Sequence, residues 1–368
     1  MKGPKRSIGI CFGKMTTQHE GIGDYGTLFG EHLARRAPEL AERHGIRLHM
    51  RLPAKLHGMF GDEVSYLPQW TIQRHIALSF GSFDLWHILH QHNPFRPPWG
   101  VRRGLATVLD LNQLYGSDES FTRKSTRRLQ RIAAWADAFV AISAHTRKDL
   151  VAFLKDDTPV RVIHIGVRDL HAVKPERPAG LSAAAEQAGF YFHISRMAVL
   201  KNVGALLRLM ALMAEQGSPG HLVLAGPRSG DSERVLAEVQ AAGLKNVSLL
   251  FDVSTAEKAW LFQHCRAFMF PSLAEGFGLP PIEAMQFGKP VFLSALTSLP
   301  EVGGLQADYW PDFDPAAMLA VLREGMARYD HDPSGRAAAL QEWAGRFTWP
   351  VCIDHHVELY LEQLKLSR

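Results

Sequence analysis

Short apolar runs alternate along the chain with longer stretches in which apolar residues recur at helical spacing. Ser7–Phe12 is apolar and leads into turn residues, then a helical pattern from about Tyr25 to Arg43. Ile46–Leu52, Phe83–Ile88, Leu105–Leu109, Ala138–Ile142 and Val160–Ile165 read as further strands, and Ser117–Ala136 as a helix. The alternation stops at His171–Gly180, where proline and charge replace any period, and restarts beyond it. Phe190–Ile194, His221–Ala225, Ser248–Phe251, Ala267–Phe270 and Pro290–Leu293 read as strands. Val203–Glu215, Ser232–Ala242, Ala256–His264 and a segment from Pro280 read as helices. This pattern predicts an α/β protein with two parallel, doubly wound units. The boundaries expected are a first domain over residues 1–170, a linker over 171–180 and a second domain over 181–348. The tail over 349–368 carries a helix, Cys352–Leu366. In such sheets ligands sit at the carboxyl ends of the strands, and a cleft between two domains is the natural site.

Composition narrows this picture only a little. A chain of 368 residues, 46% apolar and 21% charged, has enough apolar residues for two cores. The net charge of +4 is mild and does not point to nucleic acid. It fits a protein that handles polyanionic small molecules or sits near an anionic surface. Cys11, Cys265 and Cys352 are far apart, which argues against a disulfide framework or a structural zinc site. No apolar run is long enough to span a membrane, and the start reads as a strand rather than a leader. A cytoplasmic location is the default expectation.

The most informative string is Pro271-Ser-Leu-Ala-Glu275-Gly276-Phe277-Gly278-Leu279-Pro280-Pro281-Ile-Glu283-Ala-Met, directly after a strand. Its glycines permit tight turning and close approach to a ligand. The prolines suit the first positions of a helix, whose unpaired amides favour a phosphate or sugar oxygen. Glu275 falls in the loop and Glu283 in the first helical turn, so two acceptors flank an anion-tolerant nest. Alternatively Glu283 complements the helix dipole and the glycines only make a turn. Further upstream, Ser195-Arg196 and Lys201-Asn202 follow the first strand of the second domain. A strand-to-helix loop with an arginine and a lysine is suited to clamp a diphosphate; a solvated pair at a helix start is the plainer reading.

These strings resemble the retaining glycosyltransferases of the GT-B fold, in the large family-4 group. Glu275 and Glu283 match the family's paired glutamates within EGFGLPxxEAM. Arg196, Lys201 and Asn202 match G-R-x-x-x-x-K-N, with Ser195 in place of the glycine. Leu224-Ala225-Gly226-Pro227 and Ser298-Leu299-Pro300-Glu301-Val302 match as well, so the resemblance covers nearly the whole second domain. It implies two Rossmann-like domains facing across a cleft, with the C-terminal helix crossing back to the first domain. It also implies that Glu275 contacts the donor sugar, Glu283 holds the ribose, and the amides of Phe277, Gly278 and Leu279 lie against sugar and diphosphate. Catalytic work would fall to Glu275, Arg196 and Lys201. Donor binding would fall to Glu283, Gly276, Phe277, Gly278, Leu279, Ser195, Asn202 and Gly226.

In the first domain Gly21-Ile22-Gly23-Asp24-Tyr25-Gly26 has the spacing of a dinucleotide fingerprint. It begins several residues beyond the first strand, and no acidic residue ends the second strand, so that reading fails. The string is similar instead to the family's G-G-I-G loop, with Glu20 replacing a glycine. This implies that Gly21, Ile22, Gly23 and Asp24, with Asp110, line an acceptor and phosphate loop. A plain helix cap is the other reading. Leu109 stands where the family usually has a histidine against the donor sugar. Either His87, His90 or His92 fills that space, or the donor is a deoxy sugar. Histidines at a strand end are usually hydrogen-bonded lining residues, so no metal is expected, and the family needs none. Ser143, Thr146 and Asp149 resemble a structural cap. Arg123, Lys124, Arg127, Arg128 and Arg131 make one basic helical face, either solvated or docked on anionic headgroups, with Phe95 and Trp99 nearby.

The resemblance implies transfer of a hexose, with retention, from a nucleotide sugar to a saccharide or polyprenyl-diphosphate-linked acceptor. GDP-mannose is the expected donor, in lipopolysaccharide or exopolysaccharide synthesis. A UDP-sugar enzyme and a non-catalytic sugar-nucleotide-binding protein are the rival readings. The expected partners include peripheral contact with an anionic membrane and exclude nucleic acid; no cofactor is expected.

Overall fold

In the computed structural model, the structure describes residues 6–13, 15, 21–78, 81–115, 119–154, 157–218 and 220–366. The chain divides into two units. The first comprises residues 1–166 together with 349–368, and the second residues 167–348.

The first unit is built on a seven-stranded parallel sheet in the order β3-β2-β1-β4-β5-β6-β7. The strands are β1 (Arg6–Cys11), β2 (Ile46–Leu52), β3 (Ser65–Pro68), β4 (Leu85–Ile88), β5 (Gly104–Val108), β6 (Ala138–Ala141) and β7 (Val160–Val162). The central strands β4, β5 and β6 are buried along their whole length, which is why they read as continuous apolar runs rather than alternating ones. Phe83, Trp86, Ile88, Val108, Leu129 and Phe139 form the core on one side.

Several elements differ from the expectation drawn from the pattern. The first helix is two helices, Gly21–Arg35 and Ala37–His44, which meet at Arg36 because Pro38 can stand only in a first turn. Phe83 lies outside β4 and forms an isolated bridge with Val101. The basic helix is described over Glu119–Ala133; Ser117 lies outside the described residues. The edge strand β3 has no apolar run to reveal it: its four residues are all half-buried and it ends in proline, which an edge tolerates.

The second unit is built on a six-stranded parallel sheet in the order β10-β9-β8-β11-β12-β13. Its strands are β8 (Phe190–Ile194), β9 (His221–Gly226), β10 (Val247–Phe251), β11 (Ala267–Phe270), β12 (Val291–Ser294) and β13 (Asp308–Trp310). Residues 171–180 have no regular structure and belong to this unit. The strand order reverses between β8 and β11, and a crevice opens at such a switch point beyond the carboxyl ends.

The helix Trp349–Leu366 returns to the first unit. His87 of β4 bonds the Tyr360 hydroxyl at 2.7 Å, and His356 packs edge-on against Phe29 at 5.0 Å between ring centres. Arg36 pairs with Asp354, and Arg161 with Glu362 at 2.9 Å. No helix among the described residues is long and apolar enough to cross a membrane.

Candidate active site

The loops that follow β8 and β11 bring the second unit's singled-out residues together at its switch point. Lys201 Nζ lies 2.5 Å from Glu275 Oε1. Two backbone links set this contact. The Ser272 hydroxyl and the Leu273 amide both donate to the Leu200 carbonyl, at 3.0 and 2.7 Å, and so fasten the glutamate loop to the lysine turn. The Glu275 amide donates to Thr297 Oγ1 at 3.0 Å. Ser298 Oγ lies 3.0 Å from the Glu275 carbonyl and 2.7 Å from the Phe277 carbonyl. The string around Ser298 thus acts as a brace under the loop. Phe277 is buried and packs edge-on against Phe347; Gly276 is buried beside it.

Gly278 has φ of 110°, which favours glycine, and it caps the helix Leu279–Gln286. Pro280 and Pro281 have no N–H, so of the first four helical residues only Leu279 and Ile282 carry an amide proton, and these two have no helical carbonyl four residues back and can meet a ligand. Glu283 is the fifth residue of this helix, not a first-turn residue as the spacing suggested, because Leu279, Pro280 and Pro281 already occupy the first turn. This weakens the reading of Glu283 as a dipole complement, since that effect fades within one turn. Its side chain is only 8% exposed and pairs with Lys258 Nζ at 2.7 Å.

Sequence reasoning missed Lys258, and a signal for it existed. It follows the capping box of Ser254 and Glu257, in the first turns of Thr255–His264, where a cation opposes the helix dipole. A lysine so placed needs a partner elsewhere, and Glu283 supplies it.

The loop after β8 is held by a buried relay. His193 Nδ1 donates to the Met269 carbonyl at 2.8 Å, so Nε2 is the acceptor for the Ser195 hydroxyl at 2.7 Å. Ser195 Oγ in turn accepts the Met197 amide at 3.0 Å. Burial pushes His193 down to about 4, partly opposed by its bond to the Met269 carbonyl, so the ring is neutral at pH 7. Ser195 is therefore an anchor for the turn, in the position where the resembling family has glycine. Gly226 permits the same turn: a Cβ there would lie 2.0 Å from the Ser195 carbonyl oxygen. Asn202 adopts φ of 50°, and its Nδ2 is buried without a partner. Arg196 is exposed, with no ion pair among the described residues.

The first unit's candidates are placed differently. Gly21, Ile22, Gly23 and Asp24 form the first turn of the helix Gly21–Arg35 rather than a loop, and Thr27 Oγ1 donates to the Gly23 carbonyl at 3.0 Å. Glycine adopts helical angles at modest cost, so its presence did not guarantee a loop. Glu20 lies outside the described residues. Asp110 turns the loop after β5, its carboxylate accepting the Asn112 amide at 3.2 Å. Leu109 is 8% exposed; its amide donates to Gln91 Oε1 at 3.0 Å while Gln91 Nε2 donates to the Asp110 carbonyl at 2.8 Å. Gln91, also missed in the sequence, thus fixes both residues.

His87 is spoken for by Tyr360 and by Thr107 Oγ1 at 2.8 Å, and burial lowers its pKa well below the usual value. His90 Nε2 donates to the Phe12 carbonyl at 3.2 Å, and burial pushes it down to about 4. Both are lining histidines held by the protein. Ser143 Oγ accepts the Thr146 amide at 3.0 Å, a cap. The Tyr115 hydroxyl donates to Asp149 at 2.7 Å. No three histidine, cysteine or acidic side chains among the described residues cluster to hold a metal.

Two parallel sheets in these orders define a GT-B architecture. Solved structures share it over nearly the whole chain. Sucrose-phosphate synthase from Thermosynechococcus elongatus matches with a TM-score of 0.70 at 19% identity, covering 99% of this chain and 100% of that one. Anabaena HepE in complex with UDP and glucose matches at 0.63 and 16% identity, covering 97% and 99%. Residues 182–306, within the second unit, match the family Glycosyl transferases group 1. Among curated relatives, the serotype-specific mannosyltransferase WbdA of Escherichia coli is 29% identical over 243 residues, 63% of this chain and 30% of that protein. The O-antigen chain mannosyltransferase B of Escherichia coli is 33% identical over 180 residues, 47% and 45% of the two chains. The O-antigen chain mannosyltransferase RfbU of Salmonella typhimurium is 23% identical over 287 residues, 73% and 76%. The first two matches thus span less than half the length of those relatives.

Proposed function

We propose that the protein transfers mannose from GDP-mannose to a saccharide hydroxyl, free or lipid-linked, with retention at the anomeric carbon and without a metal ion. The observation that carries this reading is the pair of lysine–glutamate contacts at the second unit's switch point, within a group 1 domain whose curated relatives include O-antigen mannosyltransferases.

Each residue then has a task its chemistry allows. Lysine has three donors, so Lys201 keeps Glu275 and also meets a phosphate oxygen. Glu275 retains a second oxygen for a sugar hydroxyl, and Glu283 retains one for the ribose. Arg196, exposed and without an ion pair among the described residues, closes on the diphosphate. As the bond to the sugar breaks, negative charge grows on the leaving phosphate, where Arg196, Lys201 and the amides of Leu279 and Ile282 stabilise it. That phosphate takes the acceptor proton, which makes a separate protein base unnecessary. The cationic side chains fill the role a divalent ion would otherwise serve, so EDTA should leave turnover unchanged; loss of turnover restored by Mn²⁺ would refute that part.

Thermal shift with GDP, GDP-mannose, UDP and UDP-glucose tests the donor, since a ligand of the native state raises the melting temperature. GDP-mannose should give the largest rise, and NMR of the product should show the donor's anomeric configuration. A larger rise with UDP-glucose would replace GDP-mannose as the donor. Binding without transfer to any saccharide would reduce the protein to a sugar-nucleotide binder.

A further inference from the structure

A groove of about 960 Å³ lies wholly within the first unit, between the segment 92–102 and the helix Glu119–Ala133. Its wall includes Arg74, Arg96, Arg102, Arg128 and Arg131, of which Arg102 pairs with Asp84 at 3.1 Å. Arg96 and Arg131 are exposed and pair with no carboxylate among the described residues. Among the described residues Arg128 donates to the His92 carbonyl alone, at 3.2 Å. Burial and the charge of Arg131 push Arg128 below its usual value. Arg74 stands 5.5 Å from the Phe95 ring centre, and its Nε is buried with no acceptor.

A further guanidinium, fully buried, packs against Phe95 of the wall. Arg51 is 1% exposed, 4.9 Å from the Trp86 ring centre and 5.4 Å from that of Phe95. It donates to Cys11 Sγ and to the Arg96 carbonyl, at 3.2 and 3.0 Å, and to no carboxylate among the described residues. The lining carboxylate, Asp137, already pairs with Arg103 at 3.2 Å. The four wall guanidiniums Arg74, Arg96, Arg128 and Arg131 thus have no acidic partner among the described residues, an arrangement that an arriving anion would stabilise.

The second observation is apolar. Trp70, Ile72, Ile76 and Trp99 are each 45–71% exposed. They sit on two adjoining segments, joined by the Arg96 amide to the Gln73 carbonyl at 2.9 Å and the Trp99 amide to the Leu78 carbonyl at 3.4 Å. Trp99 itself lines the groove. A site for a soluble phosphate would gain nothing from exposed indole and isoleucine. Indoles beside arginines suit the boundary where lipid headgroups meet acyl chains.

We propose that this face of the first unit docks on an anionic bilayer, the groove receiving phosphate headgroups while Trp99, Trp70, Ile72 and Ile76 enter the interface. The assignment deepens the reading of a lipid-linked acceptor and rests on it only for biological sense. Its readout is vesicle binding, so its failure is distinct from a failure to bind GDP.

The test is co-sedimentation of the full chain with phosphatidylcholine vesicles, with and without phosphatidylglycerol. The protein should pellet with the anionic vesicles and release as salt rises. Each arginine near an anionic surface adds about fivefold to partitioning. The pair R96Q/R131Q should therefore lower it about tenfold or more, and R96E/R131E further, with thermal melts unchanged. W99S should weaken binding without changing its salt dependence. Equal binding to neutral and anionic vesicles, or wild-type binding by R96E/R131E, would overturn the proposal. Stabilisation by inorganic pyrophosphate with no vesicle binding would overturn it too, and assign the groove to a soluble anion.

Discussion

Replacing Glu283 and Lys258 singly and together separates what their contact does for the fold from what Glu283 does for a ligand. The pair lies at 2.7 Å with side-chain exposures of 23% for Lys258 and 8% for Glu283. An exposed pair contributes at most about 1 kcal/mol, and removing one member of a buried pair costs about 3–5 kcal/mol. This pair is intermediate, so the coupling between E283Q and K258M in urea unfolding should be about 1–3 kcal/mol. K258M should be the more destabilising single change, because it strands a carboxylate with little access to water, whereas E283Q strands an ammonium that is better hydrated. Nucleotide binding should rank the two differently. E283A, which deletes the proposed ribose acceptor where glutamine would keep a neutral one, should weaken GDP binding by about 1–3 kcal/mol, or roughly 5- to 150-fold by titration calorimetry. K258M leaves that acceptor in place and frees it from a competing partner, so its affinity should fall much less. A coupling below about 0.5 kcal/mol would refute the structural role of the pair, a value typical of independent sites. Unchanged GDP affinity in E283A would remove Glu283 from the ligand site.

Three further outcomes follow from the geometry. Gly226→Ala forces a Cβ to within 2.0 Å of the Ser195 carbonyl, so it should cost about 1–3 kcal/mol or more and impair nucleotide binding, whereas Gly230→Ala meets nothing within 4 Å and should be neutral or slightly stabilising; equal melts for the two would refute the close-approach argument. Lys201→Ala should lower kcat more than it raises the donor KM, because charge on the leaving phosphate grows in the transition state; an effect confined to KM would mean that Lys201 binds ground and transition states alike. Acid should destabilise the first unit more than the second: burial depresses His87, His90 and His356 in the first unit and His193 in the second, the last three to about 4. The unfolded chain therefore takes up protons first, stability is complete above about pH 6.5, and it is lost as pH falls towards 4, by up to about 3 kcal/mol per histidine. Urea midpoints that do not move between pH 7.5 and 5 would refute this.

The sequence by itself determined the two parallel sheets, because strands buried on both faces must be apolar along their whole length and βαβ units separate them at regular intervals. It also determined that Glu275 and Glu283 flank a loop-to-helix turn, because glycine, proline and the preceding strand act over a few residues and leave a local mark. The edge strands β3 and β13 left no such mark, since each has only three or four residues, most of them half-buried. The string Gly21–Asp24 was ambiguous for the converse reason: glycine permits a loop without requiring one, and of the two readings, loop or helix start, the structure there is helical. Only the tertiary structure decided that Lys201 meets Glu275, that Lys258 meets Glu283 across 25 positions, and that Gln91 holds Leu109 and Asp110. It also assigned His87 to the Tyr360 hydroxyl, 273 positions away. Such contacts are specified by where strand ends converge in space. No periodicity or local propensity records which distant side chain stands within 3 Å of another.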